Sequence, residues 1–413
     1  MATFALTELL KAPVYDSTGA AVGRVREVAL CPQEDPIRIS ALIVRTPSGD
    51  RLLSAKSVAS VDGGIHALTL AADWTPYVGA EGFLLLERDL LDQQIIDVHG
   101  RKVVRVNDVD LHQDSANHHL VLKMGAVDVG ARGAVRRLLK GIVPHTALRA
   151  MLQRIPPRLI PWDFVDLIET DPARRVRLKI SHERLARLHP ADIADIVEEL
   201  APAEREAVFE TLDEVVAADA LEEVTPKLQA AIVESLDTDR AADIVEEMDP
   251  DAAADLLGDL PKETSQEILE EMEPQQREEV SELLEFKENT AAGRMTTDYM
   301  ALGLTATVKD AVELLRHFEG AIETVSTFFV VDETWKLVGA VPLSKAVLAT
   351  PETPLISLTG DPLISCHAGG NEKEVAALFD KYNLLTLPVV DERGVLTGVI
   401  TADDVISLLR SKL

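Results

Sequence analysis

Apolar positions follow three patterns along this chain. Up to about residue 170 they alternate with polar ones, as in "VYDSTGAAVGRVREVAL" (Val14 to Leu30), "ISALIVRT" and "RLLSA", with turn formers such as Pro47-Ser48-Gly49-Asp50 between the runs. A period of two with such punctuation predicts short strands. The order then repeats. Asp97, Gly100, Arg105-Val106 and Val109 stand where the first copy has Asp16, Gly19, Arg24-Val25 and Val28. "HLVLKM" answers "ALIVRT", and "RLIPWDFVDLIE" (Arg158 to Glu169) answers "RLLSAKSVASVD" (Arg51 to Asp62). Two copies of a small all-β unit are expected.

From Asp195 the period changes to twelve. DIVEEL, AVFETL, DALEEV, AIVESL, DIVEEM, DLLGDL, EILEEM and EVSELL begin at Asp195, Ala207, Asp219, Ala231, Asp243, Asp255, Glu267 and Glu279. Apolar residues at unit positions 2, 3 and 6 share one helical face. Pro202, Pro226, Pro250 and Pro274 recur every 24 residues and mark helix starts, because proline is tolerated only in the first turn. Helices of about two turns cannot stand alone and must stack as a small α-solenoid. Beyond residue 294 the pattern becomes helix, strand ending Val-Val-Asp, turn, Gly-containing strand and helix, written twice. Its helices are expected over Val308–Phe318 and Glu372–Tyr382.

Charge sharpens this division. The net charge is −29, yet Leu188–Phe286 holds 31 Asp+Glu against 5 Lys+Arg, a net of −26, so the remainder carries only −3. Like charges at helical spacing cost a few tenths of a kcal/mol per pair, so the excess asks for compensation. Arg132–Arg187 is the opposite, with 13 Lys+Arg and 5 Asp+Glu. That stretch is expected to face the acidic one; Pro144 interrupts any single helix in it. Cations are the other compensation, since Mg²⁺ prefers oxygen ligands and keeps several waters. A solvated, solubilising face remains the alternative.

Other chemistry is sparse. Cys31 and Cys366 give no disulfide framework or zinc cluster and fit a reducing compartment. His112, His118 and His119 form a loose group read as a polar turn rather than a metal site. No apolar run approaches the roughly 18 residues of a spanning helix, and no signal peptide precedes the first strand. The terminal Ser411-Lys412-Leu413 matches a peroxisomal address only at the level of chance. No catalytic triad, paired histidines or phosphate loop is present, so a non-enzyme is expected.

Three resemblances follow from these residues. D-x-x-G-x-x-V/I-G-R-V before a strand and R-L-I-P-W-x-x-V after one resemble the PRC-barrel family, over roughly residues 8–65 and 92–170; the resemblance implies docking rather than catalysis. "LHPADIADIVEELAPAEREAVFETL", "DRAADIVEEMDPDAAADLL" and "AGRMTTDYM" resemble the cytosolic N domain of the MgtE family of magnesium channels. In that family the helical domain precedes two CBS domains, and Mg²⁺ between the domains closes the channel. Matched by position, the family's Mg²⁺ carboxylates fall on Asp219, Asp251 and Asp255. Residues 295–411 resemble a tandem CBS pair, which binds adenine nucleotides (ATP, ADP or AMP) through G-h-h-[ST]-x-x-[DN]. The second repeat carries it as Gly398 to Asp404: Thr401 is placed at phosphate, Asp404 at the ribose hydroxyls, and Pro388 beside them. The alternative is that Thr401 caps its helix with Asp404 completing a capping box. In the first repeat Pro342 and Lys345 replace the motif's hydroxyl and acid.

There are departures as well. Family Mg²⁺ carboxylates of the second CBS repeat fall on Lys373 and Asn383, Arg410 and Lys412 stand where carboxylates belong, and the sequence stops at "VISLLRSKL". A chain without the membrane domain is expected not to conduct Mg²⁺ itself. The sequence thus predicts a multidomain α+β protein: PRC-type β-barrel units over 1–90 and 91–180, an all-α acidic solenoid over 181–290, and CBS repeats over 291–352 and 353–413. The expected function is that of a cytoplasmic regulator or sensor, peripheral to the inner membrane face if bound there. It would bind Mg²⁺ and an adenine nucleotide, form a homodimer through its CBS domains, and signal through its barrels. The alternatives are a regulatory subunit of a separately encoded divalent-cation transporter and a scaffold in RNA or ribosome assembly; the few aromatics in the basic stretch weigh against nucleic acid.

Overall fold

A computed structural model describes residues 2–79, 82–116, 119–139, 151–152, 155–169, 171, 173, 175, 182–286, 290–318, 322, 325–360 and 362–411. The chain forms two compact units, Met1–Val216 and Ala217–Leu413.

The first unit opens with β1 (Ala2–Ala5) and a helical turn, α1 (Leu6–Leu9). The first copy of the repeat continues through β2 (Pro13–Tyr15), β3 (Ala21–Leu30), β4 (Ile39–Thr46), β5 (Gly49–Ser54), β6 (Val58–Val61), β7 (Ile65–Ala67) and β8 (Thr75–Pro76). The second opens with β9 (Leu84–Leu85) and α2 (Leu86–Asp89). It goes on through β10 (Gln94–Asp97), β11 (Lys102–Arg105), β12 (Asp108–Ala116), β13 (His119–Asp128), α3 (Ala131–Leu139), β14 (Leu159–Pro161) and β15 (Val165–Leu167). The copies exchange their opening strands: β1 pairs with β12, Ala5 opposite Asp110, while β9 pairs with β3, Leu85 opposite Ala29. One apolar core therefore runs through both copies, from Leu6, Val28 and Leu42 to Leu86, Val109 and Trp162.

A buried carboxylate fastens each exchange. Asp108 accepts from the Thr7 amide at 3.2 Å, the Thr7 hydroxyl at 2.6 Å and the Val109 amide at 2.9 Å. Glu27 stands at the equivalent place in the first copy. It accepts from the amides of Val28 and Glu87, both at 2.8 Å, and of Arg88 at 3.1 Å. Each satisfies first-turn N–H groups that a helix leaves without internal partners.

Several described arginines of the basic stretch are engaged locally. Arg136 donates to Asp108 at 2.9 Å and lies 3.8 Å from Asp110, and Arg137 pairs with Asp92 at 2.6 Å. Arg184 bonds the carbonyls of Trp162 and Val165. Among the described arginines of this stretch, Arg175 alone is seen reaching the helical segment, through the Ala207 carbonyl at 2.6 Å. The expected facing of the basic stretch onto the acidic helices is seen at Arg175, whereas Arg136, Arg137 and Arg184 are engaged elsewhere. Fully buried Asp108 needs a counter-charge at hydrogen-bond distance, and α3 supplies it. His112 bonds the Thr3 hydroxyl at 3.2 Å across β1–β12; His118 lies outside the described residues.

Eight helices then start every twelve residues: α4 (Pro190–Glu199), α5 (Pro202–Phe209), α6 (Glu214–Glu223), α7 (Pro226–Val233), α8 (Thr238–Glu246), α9 (Pro250–Asp259), α10 (Lys262–Glu271) and α11 (Pro274–Leu284). Prolines 202, 226, 250 and 274 occupy the expected first turns. In the first unit α4 lies on the second β copy. Glu199 accepts from the Val103 amide at 3.1 Å, and Asp192 pairs with Arg101 at 2.9 Å. In the second unit packing skips one helix: α9 contacts α7 and α11, and α8 contacts α10. Caps repeat every 24 residues. Glu222 accepts from the Asp249 amide at 2.8 Å, and Glu246 from the Glu273 amide. Gln229 and Arg277 donate to terminal carbonyls of α6 and α10.

Each CBS repeat is β-α-β-β-α. The first has β16 (Met300–Gly303), α12 (Val308–Arg316), β17 (Thr327–Val331), β18 (Leu337–Pro342) and α13 (Leu343–Leu348); the second has β19 (Cys366–His367), α14 (Glu372–Tyr382), β20 (Thr386–Val390), β21 (Leu396–Thr401) and α15 (Ala402–Ser411). Phe329, Val331, Leu396 and Val399 join the two. Among the described residues no helix is long and apolar enough to cross a membrane.

Truncating Asp108→Ala strands the buried Arg136 charge and should cost about 3–5 kcal/mol of first-unit stability. Glu27→Ala, which leaves no buried cation behind, should cost about 1–3 kcal/mol. Urea unfolding checks both; equal losses for Asp108→Ala and for exposed Asp62→Ala would contradict the fastening role.

Candidate functional site

The acidic face of the helices meets further acids of the CBS region within the second unit. Helix α6 carries Asp219 and Glu222, Asp249 is the N-cap residue of α9, and α9 itself carries Asp251 and Asp255. Burial, with the charges of Asp249 and Asp219 nearby, pushes the Glu222 carboxyl up to about 8. Asp249 is raised by burial and by Asp403 and Asp219. Burial and the facing charge of Asp404 hold Asp251 well above the usual carboxylate range, although the Thr296 hydroxyl donates to it. Asp404 is likewise raised by its burial. Asp298 is pushed up to about 6 by burial and by the charges of Asp249 and Glu279. This seam therefore holds negative charge at a cost that cations or protons relieve.

The three carboxylates singled out in the sequence occupy different neighbourhoods here. Exposed Asp219 lies near Glu222 and Asp249, Asp251 lies near Asp404 and Thr296, and Asp255 is ion-paired to Arg294 at 2.6 Å. Asp251 and Asp255 do share one face of α9 and line an open cleft with Gly258, Leu284 and Met295. Among the described residues no group of three His, Cys, Asp or Glu side chains converges to hold a metal. A hydrated ion, bound through its waters, suits such a dispersed set.

The nucleotide motif is knitted into the fold. Thr401 is buried, and both its amide, at 3.0 Å, and its hydroxyl donate to Asp404, as in a capping box. Gly398 is required by a close approach: a Cβ there would lie 2.7 Å from Met295 Sδ and 2.8 Å from the Thr296 carbonyl. Pro388 pairs with Val399 across β20–β21. Asp404 lines a shallow pocket with Arg294 and Glu372. Asn383 takes a left-handed conformation (φ 55°) to end α14, and Lys373 sits in that helix's first turn, where Asn371 caps its amide.

Sequence reasoning passed over Glu222, Asp249, Asp298, Asp403 and Arg294. Glu222 had a signal: glutamates 198, 222, 246 and 270 keep the 24-residue period. The others gather only when the second CBS repeat meets α9.

Because the native state binds a proton at Glu222 more tightly than the unfolded chain does, its contribution is fully present below about pH 4.5 and is lost as pH rises through about 8. Without divalent cations, lowering pH from 8 to 6 should stabilise the protein by up to about 2 kcal/mol through this group. Thermal melts across that range check it, and Glu222→Gln should flatten the dependence.

Comparison with known proteins fits this architecture. The MgtE intracellular N domain family matches residues 188–289, and the CBS domain family matches 291–350 and 357–411. The magnesium transporter MgtE of Thermus thermophilus is 34% identical over 136 residues, covering 33% of this chain and 30% of that protein. That of Bacillus subtilis is 34% identical over 130 residues, 32% and 29% respectively. The chain thus spans under a third of the length of these relatives. Among solved structures, the soluble part of a magnesium transporter aligns with TM-score 0.53 and 26% identity over 56% of this chain and 91% of that one. The cytosolic domain of the Mg²⁺ channel MgtE in complex with ATP aligns with TM-score 0.52 and 32% identity over 55% and 93%. From the first acidic helix to the last CBS helix, this chain is homologous to the cytosolic part of the MgtE magnesium transporters.

Proposed function

We propose that this protein is a non-catalytic regulator of magnesium transport that senses Mg²⁺ at the acidic seam. A hydrated Mg²⁺ sits against Asp251, with Asp219 as the flanking carboxylate and Asp255 held in its ion pair with Arg294, and relieves the repulsion between the α6 and α9 acids and those of the CBS region. The observation that carries this reading is the meeting of Asp249 and Asp251 with Asp403 and Asp404, every one an acid, and three of them displaced upward in pKa. The named relatives are magnesium transporters, which supports the choice of cation. The protein acts in the cytoplasm, at the inner face of the membrane when its transporter is present, either as that transporter's own regulatory region or as a separate regulatory subunit. It pairs with a second copy through exposed CBS residues such as Leu348 and Leu385. The β units serve as the signalling surface.

An adenine nucleotide is the second ligand, supported by the intact Gly398–Asp404 motif and by the ATP-bound neighbour. Binding there requires the Thr401–Asp404 bond to open and Pro388 to stay fixed beside it. RNA scaffolding has little support, because Arg136, Arg137, Arg175 and Arg184 are engaged within the protein.

Calorimetry and thermal melts with millimolar Mg²⁺, against K⁺ at equal ionic strength, test the reading. Mg²⁺ should raise the melting temperature, and Asp251→Asn should remove about half of that rise or more. An Asp251→Asn protein that responds to Mg²⁺ as the unsubstituted chain does would exclude the seam as the sensor. ATP, ADP and AMP form the parallel arm, in which Asp404→Asn should weaken binding about 10-fold through the lost charge-assisted bond to the ribose.

A further inference from the structure

The seam already contains a cation that is part of the chain. Arg294 Nη1 lies 2.6 Å from Asp255 Oδ2 on α9, and its Nε lies 3.5 Å from Glu372 Oε1 at the start of α14. Glu372 is 9% exposed, so its charge has little access to water, whereas Asp255 is about half exposed. Although Arg294 lies at the start of the first CBS repeat, ahead of β16, its backbone is sewn to the second. The Ala291 amide donates to the Gly370 carbonyl at 2.7 Å, the Ala292 amide to Ala368 at 2.9 Å, and Thr296 and Val399 exchange bonds at 2.8 and 3.0 Å. A rigid 3-10 turn, Ala292–Arg294, thus presents the guanidinium from the CBS body to a solenoid helix.

We infer that Arg294 is a tethered counter-cation that closes the Asp255 side of the seam without metal, so that Asp255 becomes a cation ligand only if Arg294 leaves. The inference deepens the Mg²⁺-sensing reading and rests on it for the remaining carboxylates. A guanidinium held on a fixed turn has a high effective concentration at Asp255 and Glu372 and loses little entropy on pairing. A free, strongly hydrated ion must surrender both water and translational freedom to compete. The cation demand of the seam is therefore confined to the Asp219, Asp249, Asp251 and Asp404 side. Arg294 sets how much of the association between helix and CBS body persists when Mg²⁺ is low.

The test is the rise in melting temperature on adding Mg²⁺, measured on the full chain for four variants. Arg294→Gln leaves Asp255 and Glu372 without their tethered partner and should about double the Mg²⁺-induced rise. Arg294→Lys should keep the unsubstituted response, because a tethered charge remains. Asp255→Asn in the otherwise native chain should leave the Mg²⁺ response unchanged, and this exposed position keeps the test open should Arg294→Gln fail to fold. Arg294→Gln/Glu372→Gln should lose the gain. A purely structural role for Arg294 would lower all melting temperatures alike and leave the Mg²⁺ increment untouched, which overturns the inference. So does a reduced increment in Asp255→Asn. If the native chain shows no Mg²⁺ increment but Arg294→Gln does, the Mg²⁺ reading of the native seam falls and the tethered cation stands.

Discussion

A carboxylate taken out of water keeps its charge only if something meets it: an N–H donor, a fixed cation or a mobile ion. Otherwise it takes up a proton. With 70 acidic residues against 41 basic ones, this chain meets that constraint repeatedly, and its units answer it differently. In the first, Asp108 and Glu27 are buried and fully supplied with donors, so they hold exchanged strands in place. In the second, Glu222 and Glu246 accept from helix-start amides, yet Glu222 is still pushed up to about 8, and Asp249, Asp251 and Asp404 lie among like charges. Where a fixed cation or donors stand alone beside it, the acid is architecture. Where other carboxylates crowd it as well, the site answers to its ionic surroundings.

The repeats explain why both outcomes arise from similar sequence. Twelve-residue helices that pack on the helix after next bring equivalent positions together every 24 residues, and this builds the regular caps. At α9 the pattern changes: Ala253 stands where Gln229 and Arg277 donate to a preceding helix. The same helix turns Asp251 and Asp255 toward the segment that opens the first CBS repeat, ahead of β16. That segment crosses β21 over Gly398, which is why a glycine serves there irrespective of any nucleotide.

Much of this was legible in the residues themselves. Helix starts followed from prolines and the period of twelve, because φ restriction and a lost N–H are local properties of proline. The β-α-β-β-α order of the CBS repeats followed from alternating patterns and Val-Val-Asp turns, and homology to MgtE was carried by contiguous stretches. The loose histidine group, read as a polar turn, includes His112, which the structure ties to Thr3 on the opening strand. Charge totals along the basic stretch do not say which acid lies within 3 Å of Arg136.

What the sequence determined by itself were properties of neighbours along the chain: element type, repeat length, segment charge and family. What only the tertiary structure decided was pairing at long separation. Thr7 meets Asp108, Glu87 meets Glu27, Asp251 meets Asp404, and Arg294 bridges Asp255 and Glu372. Electrostatic energy depends on distance and burial, neither of which a one-dimensional pattern contains. Acids that look alike in the sequence therefore become a clamp, a cap or a sensor according to what the fold sets beside them.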